Sequence, residues 1–225
     1  ITYDFTANTF SSVIFSFDAP ITVADILGLA SNRGYLIAYT IDKVLWSSLV
    51  DATDFVASLA TGAGGGLLEG ARGIISTIES IYGGFIVFTN GNAVSAVASD
   101  NTRFPYNFVE ITGAGGLQDS EFVSYDANSN SVYAYTTAGM QQISIKGAAT
   151  VFPEITDFLS GAKIESYNES TDVLEVTDTG GTVLQKRLVV IASRYLIISY
   201  GIGALTDALY YDLGYKQFGR LKIAH

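Results

Sequence analysis

The chain has 225 residues, 48% of them apolar, with 22 Asp and Glu against 12 Lys and Arg, for a net charge of −10. That balance argues against disorder and against a broadly basic nucleic-acid-binding face. Cys is absent and the only His is His225, which excludes a disulfide framework, a cysteine nucleophile, a Cys-type zinc site, a Ser-His-Asp triad and a multi-His metal centre.

Strand-like runs separated by turn signals follow one another along the chain. "FSSVIFSF", residues 10–17, is aromatic and β-branched. A turn is expected at Pro20 and a short helical turn around Asp25. "YLIAYT" and "KVLWSS" then read as two strands joined by Ile41-Asp42. The glycine run Gly62 to Gly66 reads as a loop, because glycines lose much entropy inside a regular element. "LLEGARGIISTIES" carries a helical option that Gly70 and Gly73 weaken. From Ile75 the pattern is strand, Gly-Gly turn, strand, Asn90-Gly91 turn, strand. The Asn-Gly pair predicts a type I′ hairpin with φ > 0 at both positions. The same plan recurs with "DANSN" and "TAG" as turns, and again with "NEST" and "TDTGG". "RYLIISYGIGALTDALYYDLGYKQFGRLKIAH" supplies the last short strands.

Three markers recur at one spacing. Tyr39-Thr40, Phe88-Thr89 and Tyr135-Thr136 lie 49 and 47 residues apart, each at the end of an apolar strand. Phe55, Phe108 and Phe158 each precede a small-residue run. Phe104-Pro105 and Phe152-Pro153 are 48 residues apart, with Leu49-Val50 near the equivalent place in the first copy. A period of roughly 40–50 residues with about four short strands predicts an all-β fold, a β-propeller or propeller-like repeat of four-stranded antiparallel sheets. A β-sandwich with look-alike hairpins is the other architecture weighed. The expected organisation is a single domain over 1–225, with units near 18–61, 70–113, 120–161 and 162–225. The period breaks after Thr136, since the copy around Ser199 comes 63 residues later. A first residue of Ile rather than Met suggests a processed product, a trimmed chain or a segment of a longer polypeptide.

Chemical motifs are sparse. "GAGGGLLEG" lacks the Lys-Ser/Thr of a phosphate loop, and Leu67 stands where the third glycine of G-x-G-x-x-G belongs. Asp126, Asn128 and Asn130 imitate the start of a calcium loop, but Ser131 and Thr137 occupy the positions of its Gly and Glu. Acid pairs such as Asp51 with Asp54 or Glu165 with Glu169 would suit a glycosidase, yet they also suit ordinary turns. Trp46 is either a sugar platform or, on its apolar strand, packing between sheets. Lys216, Arg220 and Lys222 read as charges on a solvent-facing strand end. No catalytic, cofactor or metal residue is assigned. The candidate partner contacts are Asp42, Lys43, Trp46, Asp126, Asn128 and Asn130. No apolar run reaches ~18 residues, so no membrane-spanning helix is expected.

"YLIAYTIDKVLWSS", with "SSVIFSFDAP", "ATDFVASLATGAGG", "VYAYTTAGMQQIS", "FPEITDFLSG" and "ALYYDLGYKQFGRLKIAH", resembles the propeller-type virion proteins of tailed bacteriophages, of the tail-hub, nozzle or packaged-DNA-stabilising kind. The ending is similar to a Tyr-Asp, aromatic-Gly-x-Leu strand pair of that family, here with Phe218, Gly219 and Leu221. The resemblance implies an assembly role without catalysis or cofactor. It also implies a homo-oligomeric ring, other virion proteins as partners, and a place in the phage tail after synthesis in the bacterial cytoplasm. Stable nucleic-acid binding is not expected: a negative channel would repel phosphates. A carbohydrate-active propeller, glycosidase or glycan-binding adhesin, is the alternative.

Overall fold

The computed structural model describes residues 2–4, 9–11, 13–101, 104–153, 155–156, 163–168, 173–178, 184–191, 194–202 and 207–221. Phe158, Glu169, Lys222 and His225 lie outside them. The chain divides into two compact units, Ile1–Glu110 and Ile111–His225.

In the first unit, β1 (Thr2–Asp4) pairs with β2 (Thr9–Ser11). A four-stranded sheet follows: β3 (Gly28–Asn32), β4 (Tyr35–Tyr39), β5 (Lys43–Trp46) and β6 (Gly64–Leu67). A second is built from β7 (Ile75–Ile81), β8 (Gly84–Thr89), β9 (Ala93–Ala98) and β10 (Tyr106–Glu110). The second unit holds a sheet of β11 (Val123–Asp126), β12 (Ser131–Thr136), β13 (Gly139–Ser144) and β14 (Gly147–Thr150). A two-stranded pair, β15 (Lys163–Asn168) and β16 (Val173–Asp178), comes next. The last sheet contains β17 (Leu184–Ile191), β18 (Tyr195–Ile202), β19 (Asp207–Asp212) and β20 (Gln217–Leu221). All four larger sheets are antiparallel meanders in chain order, so the fold class is all-β and propeller-like in its repeating element. The broken period has a simple source: β15 and β16 stand between the third and fourth sheets.

Each four-stranded sheet of the first unit offers an apolar face, and the two faces bury each other. Tyr35, Ile37, Val44 and Trp46 come from the first sheet; Ile78, Phe85, Val94 and Tyr106 come from the second. Tyr106 is the hub. Its ring centroid lies 4.8 Å from Phe85, 5.9 Å from Tyr35 and 6.1 Å from Trp46, all in the edge-to-face geometry that the ring quadrupole favours. Its hydroxyl donates to the Asn32 carbonyl at 3.1 Å. The Asn32 amide in turn donates to the Ile81 and Gly84 carbonyls, at 3.2 and 2.5 Å, across from one sheet to the other. The outer face of the first sheet is covered by its own flanking chain, with Phe15, Phe17 and Phe55 over Ala38 and Leu45.

The second unit uses the same construction. Tyr133 and Met140 of the third sheet pack with Leu196, Ile198 and Tyr211 of the fourth. Phe152 bridges them, 5.9 Å from Tyr133 and 4.7 Å from Tyr211. It does so at φ 50°, a backbone conformation seldom adopted outside glycine and held here by its packing.

The repeated Thr has one structural role. Thr40, Thr89 and Thr136 are buried; Thr89 and Thr136 end the second strand of their sheets, and Thr40 directly follows it. Each hydroxyl accepts backbone N–H groups of the turn that follows. Thr40 takes Lys43 N–H at 3.0 Å; Thr89 takes Gly91 and Asn92 N–H at 3.1 and 2.9 Å; Thr136 takes Ala138 N–H at 3.1 Å. The Phe and Phe-Pro markers do not share such a position. Phe55 sits in a loop while Phe108 lies on β10; Pro105 precedes β10 while Pro153 follows β14.

Two local expectations are corrected. Gly64–Leu67 is a strand, not a loop, because the glycines admit bulky neighbours: a Cβ on Gly65 would stand 2.5 Å from the Val44 carbonyl oxygen. The first sheet therefore extends past residue 61. The stretch from Ile75 is the expected strand, and the helical option that Gly70 and Gly73 weakened is not taken there. Asn90-Gly91 does form a hairpin turn, but neither residue has positive φ. Thr89 closes it, and Gly91 is needed because a Cβ would collide with the Arg72 carbonyl. The two-residue turn with positive φ at both positions is Arg33-Gly34, between β3 and β4, at 50° and 87°. The expected turns at Pro20 and Asp25 are present, the latter as a 3-10 turn over Val23–Asp25.

Two sets of substitutions test this account by chemical denaturation. Asn32→Ala strands the acceptors that the amide serves and should cost about 2–3 kcal/mol in the first unit; Tyr106→Phe should cost about 1 kcal/mol. Because the two groups share a bond, their double substitution should cost less than the sum. Thr89→Val should cost about 1–2 kcal/mol, because one N–H that its hydroxyl serves belongs to the buried Asn92; Thr40→Val and Thr136→Val should cost less, since Asp42 and Ala138, whose N–H groups they serve, are exposed to water. Equal costs for Thr40→Val and Thr89→Val would contradict the burial argument.

Candidate functional site

The clearest concavity that contains expected contact residues lies at the turn end of the first sheet. It is a cleft of about 510 Å³ lined by Pro20, Ile21, Ala24, Asp25, Leu27, Thr40, Ile41, Asp42 and Lys43. The β4–β5 turn and the 18–27 segment build it together. The carboxylate of Asp42 accepts the Thr40 hydroxyl at 3.0 Å, so the same Thr closes the turn and aims the acid. Asp25 accepts the backbone N–H and the hydroxyl of Thr22, each at 2.8 Å, and these bonds hold its carboxyl below the ordinary range. Ile41 and Leu27 are 56% and 53% exposed. The cleft thus joins two carboxylates and one ammonium to open apolar surface, a composition suited to holding a partner's side chains.

Trp46 is on the same strand as Lys43 but on the opposite face, since alternate residues of β5 point opposite ways. Its indole lies in the packing between the two sheets, and its Nε1–H donates to the Gly62 carbonyl at 3.0 Å. Of the two weighed roles, the indole takes the packing one.

Asp126, Asn128 and Asn130 belong to the second unit, in the β11–β12 turn. Asp126 is buried; its carboxylate accepts Asn128 N–H at 3.1 Å and the Ser129 hydroxyl at 2.6 Å. Asn130 adopts φ 47° and accepts the Tyr125 hydroxyl at 3.0 Å. Asn128 is exposed at the tip. Asp51 and Asp54 are turn acids too: Asp51 accepts both Thr53 donors, at 2.9 and 2.7 Å, and Asp54 accepts Val56 N–H at 3.0 Å. Among the described residues no group of three or more His, Asp or Glu converges.

A second cluster had no advance notice as a site. Arg194 forms an ion pair with Asp212, Nη2 to Oδ2 at 3.1 Å, and its guanidinium lies 5.0 Å from the Tyr195 ring centroid and 5.6 Å from that of Tyr215. The other oxygen of Asp212 accepts Gly214 and Tyr215 N–H at 2.8 and 3.0 Å. These backbone donors and Arg194 hold the Asp212 carboxyl below its ordinary range. Beside the cluster runs a groove of about 340 Å³ lined by Tyr195, Ile197, Tyr210, Asp212 and Leu221. The usable signal was the Tyr-Asp pair. Tyr125-Asp126 and Tyr211-Asp212 both end a strand, and in both the fourth residue after the Asp has positive φ, Asn130 at 47° and Lys216 at 54°.

No family model and no curated protein matches the chain. Among solved structures, the chain is similar to the N-terminal domain of Nup159, with 6% sequence identity and a TM-score of 0.34. The likeness covers 89% of this chain and 65% of that one, just under two thirds of its length.

One acid stands apart from the turn carboxylates. Glu79 is half-buried on β7, opposite Ile86, and burial pushes its carboxyl up from 4.5 to about 7. Between those values the folded chain holds a proton that the unfolded chain has released. Stability contributed by the neutral form is therefore full below the unfolded value and is lost as pH rises through the folded one. The loss is on the order of 3 kcal/mol by the usual conversion of pKa shift to free energy. Glu79→Gln should abolish most of that slope and stabilise the protein at about pH 8 while changing little at about pH 4, as read from urea midpoints. A midpoint that responds to pH identically in both proteins would refute this assignment.

Proposed function

We propose that the protein is a structural component of a tailed-bacteriophage virion, placed in the tail or at the portal–tail junction. It works by packing against other virion proteins, as a homo-oligomeric ring in the assembled particle, without turnover and without a cofactor. It is made in the bacterial host cytoplasm. The observation that supports this reading best is the use of the polar side chains. Thr40, Thr89, Thr136, Asp51, Asp126 and Asp212 all bind the backbone of the turns they stand in. The resemblance of the strand and turn motifs to phage propeller proteins supplies the particle, and the charge of −10 fits a part that lies near nucleic acid without retaining it.

The second reading, a carbohydrate-active protein, is favoured by the groove beside Tyr195 and Tyr210, where aromatic rings meet an Arg–Asp pair. The two readings separate in one set of measurements. Native mass spectrometry of the purified chain should find oligomers, and a glycan array with a hydrolysis screen should find neither retention nor sugar release. Reproducible sugar release with a carboxylate-controlled pH profile would overturn the structural reading. Retention that is lost in Tyr195→Ala would establish the groove as a glycan site.

A further inference from the structure

The chain contains a single Asn-Gly dipeptide, Asn90–Gly91, at the exposed tip of the β8–β9 hairpin. In a flexible chain this dipeptide is prepared for self-modification. Glycine lacks a Cβ, so the backbone folds back easily and the Gly nitrogen reaches the Asn carboxamide carbon. A bond forms between Gly91 N and Asn90 Cγ while the Cγ–Nδ2 bond breaks. The Gly91 amide proton leaves with the carboxamide nitrogen as ammonia, and a succinimide ring remains. Water from the solvent opens the ring at either carbonyl, giving aspartate or isoaspartate.

The fold restrains both reacting groups. The Gly91 N–H is donated to the Thr89 hydroxyl at 3.1 Å. That hydroxyl is fully buried; it also takes Asn92 N–H at 2.9 Å and lies 2.7 Å from the Arg72 carbonyl, to which it donates. The carboxamide oxygen of Asn90 accepts Ile74 N–H at 2.9 Å, and Asn90 N–H is donated back to the Ile74 carbonyl at 3.0 Å. The electrophile is thereby tied to the 70–74 loop and the nucleophile to Thr89. The Arg72 carbonyl fills the space beside Gly91, which limits the backbone rotation that ring closure needs.

We propose that Asn90–Gly91 is a latent modification site, whose deamidation is held off by Thr89 and Ile74 and proceeds from conformations in which the β8–β9 turn has opened. The reaction is then a chemical record of local opening in the second sheet. It is also self-reinforcing. Isoaspartate inserts an extra carbon into the main chain at a turn where Gly91 already touches the Arg72 carbonyl, so the modified turn cannot close in the same way.

The experiment is a time course of the intact chain at mildly alkaline pH, native and in urea, with Asn90 conversion followed by peptide mapping. Conversion in the native chain should be at least about tenfold slower than in the unfolded chain. Thr89→Val frees the Gly91 N–H and should speed conversion in the folded protein, whereas Thr89→Ser keeps the hydroxyl and should not. Should Thr89→Val not fold, Gly73→Ala replaces it, because a Cβ there collides with the Asn90 carboxamide oxygen and displaces it from Ile74. Equal rates for native and unfolded wild-type chain, or no acceleration in a folded Thr89→Val or Gly73→Ala protein, overturn the proposal.

Discussion

A four-stranded antiparallel sheet with apolar residues on both faces cannot cover itself, and that constraint organises each unit of this protein. In the first unit the cover is reciprocal, and it centres on Tyr106. Its ring contacts Tyr35 and Trp46 of the first sheet and Phe85 of its own. An apolar contact alone sets no register, because dispersion and water exclusion are non-directional. Register comes from the polar end of the same side chain: the Tyr106 hydroxyl meets Asn32, whose amide reaches the carbonyls on either side of the β7–β8 turn. These groups are buried, so a slip between sheets would leave several of them without partners. The aromatic packing makes the sheets adhere; the Asn32 bonds fix where.

Turns are the second requirement, because a meander of short strands spends a large share of its residues reversing direction. Two devices recur. A Thr at or directly after the end of the second strand closes the next hairpin in three sheets, and an Asp after a Tyr organises a longer hairpin in two. Both work by offering side-chain oxygen to backbone N–H groups that the strand ladder leaves unpaired. The Tyr-Asp device sits between first and second strands in the third sheet, but between third and fourth in the last. It is therefore a local solution that travels with the turn and not with a fixed position in the repeat.

These devices explain what could be read from the sequence and what could not. The aromatic-Thr pairs were legible as a period because turn closure by a buried Thr tolerates few substitutes. Strand identity was legible for "GFIVFT" and "VYAYT", where apolar runs end at turn signals. Gly64–Leu67 was not, because its strand character depends on the Trp46 and Leu45 side chains filling the space that its glycines leave. Gly28–Asn32 was equally hard to see, since its turn is Arg33-Gly34 and an Arg with positive φ carries no sequence signal. The Phe-Pro spacing coincided with the period without marking equivalent places, which shows how an aromatic-rich chain generates false repeats. For the candidate site, Asp42 and Lys43 were legible as the junction between "YLIAYT" and "KVLWSS". Arg194 and Asp212 were missed because their partnership spans two hairpins and leaves no spacing rule.

The turn after the second strand is where the three sheets differ most while keeping one scaffold. Behind the same buried Thr stand Ile41-Asp42-Lys43, Asn90-Gly91-Asn92 and Thr137-Ala138-Gly139. The backbone solution leaves the tip residues free to vary, within limits set by the neighbouring loop. At Asn90-Gly91 the 70–74 loop presses against the tip and demands glycine. At Ile41-Asp42 the 18–27 segment stands off far enough to leave a cleft with exposed Ile41 and Leu27. At Thr137 the hydroxyl is drawn back to accept Gly116 N–H at 3.1 Å. Of these three tips, only the first combines charge, exposed apolar surface and concavity. If the protein acts by packing against other chains, discrimination between partners has to come from such places, because the residues that build the repeat are committed to one another.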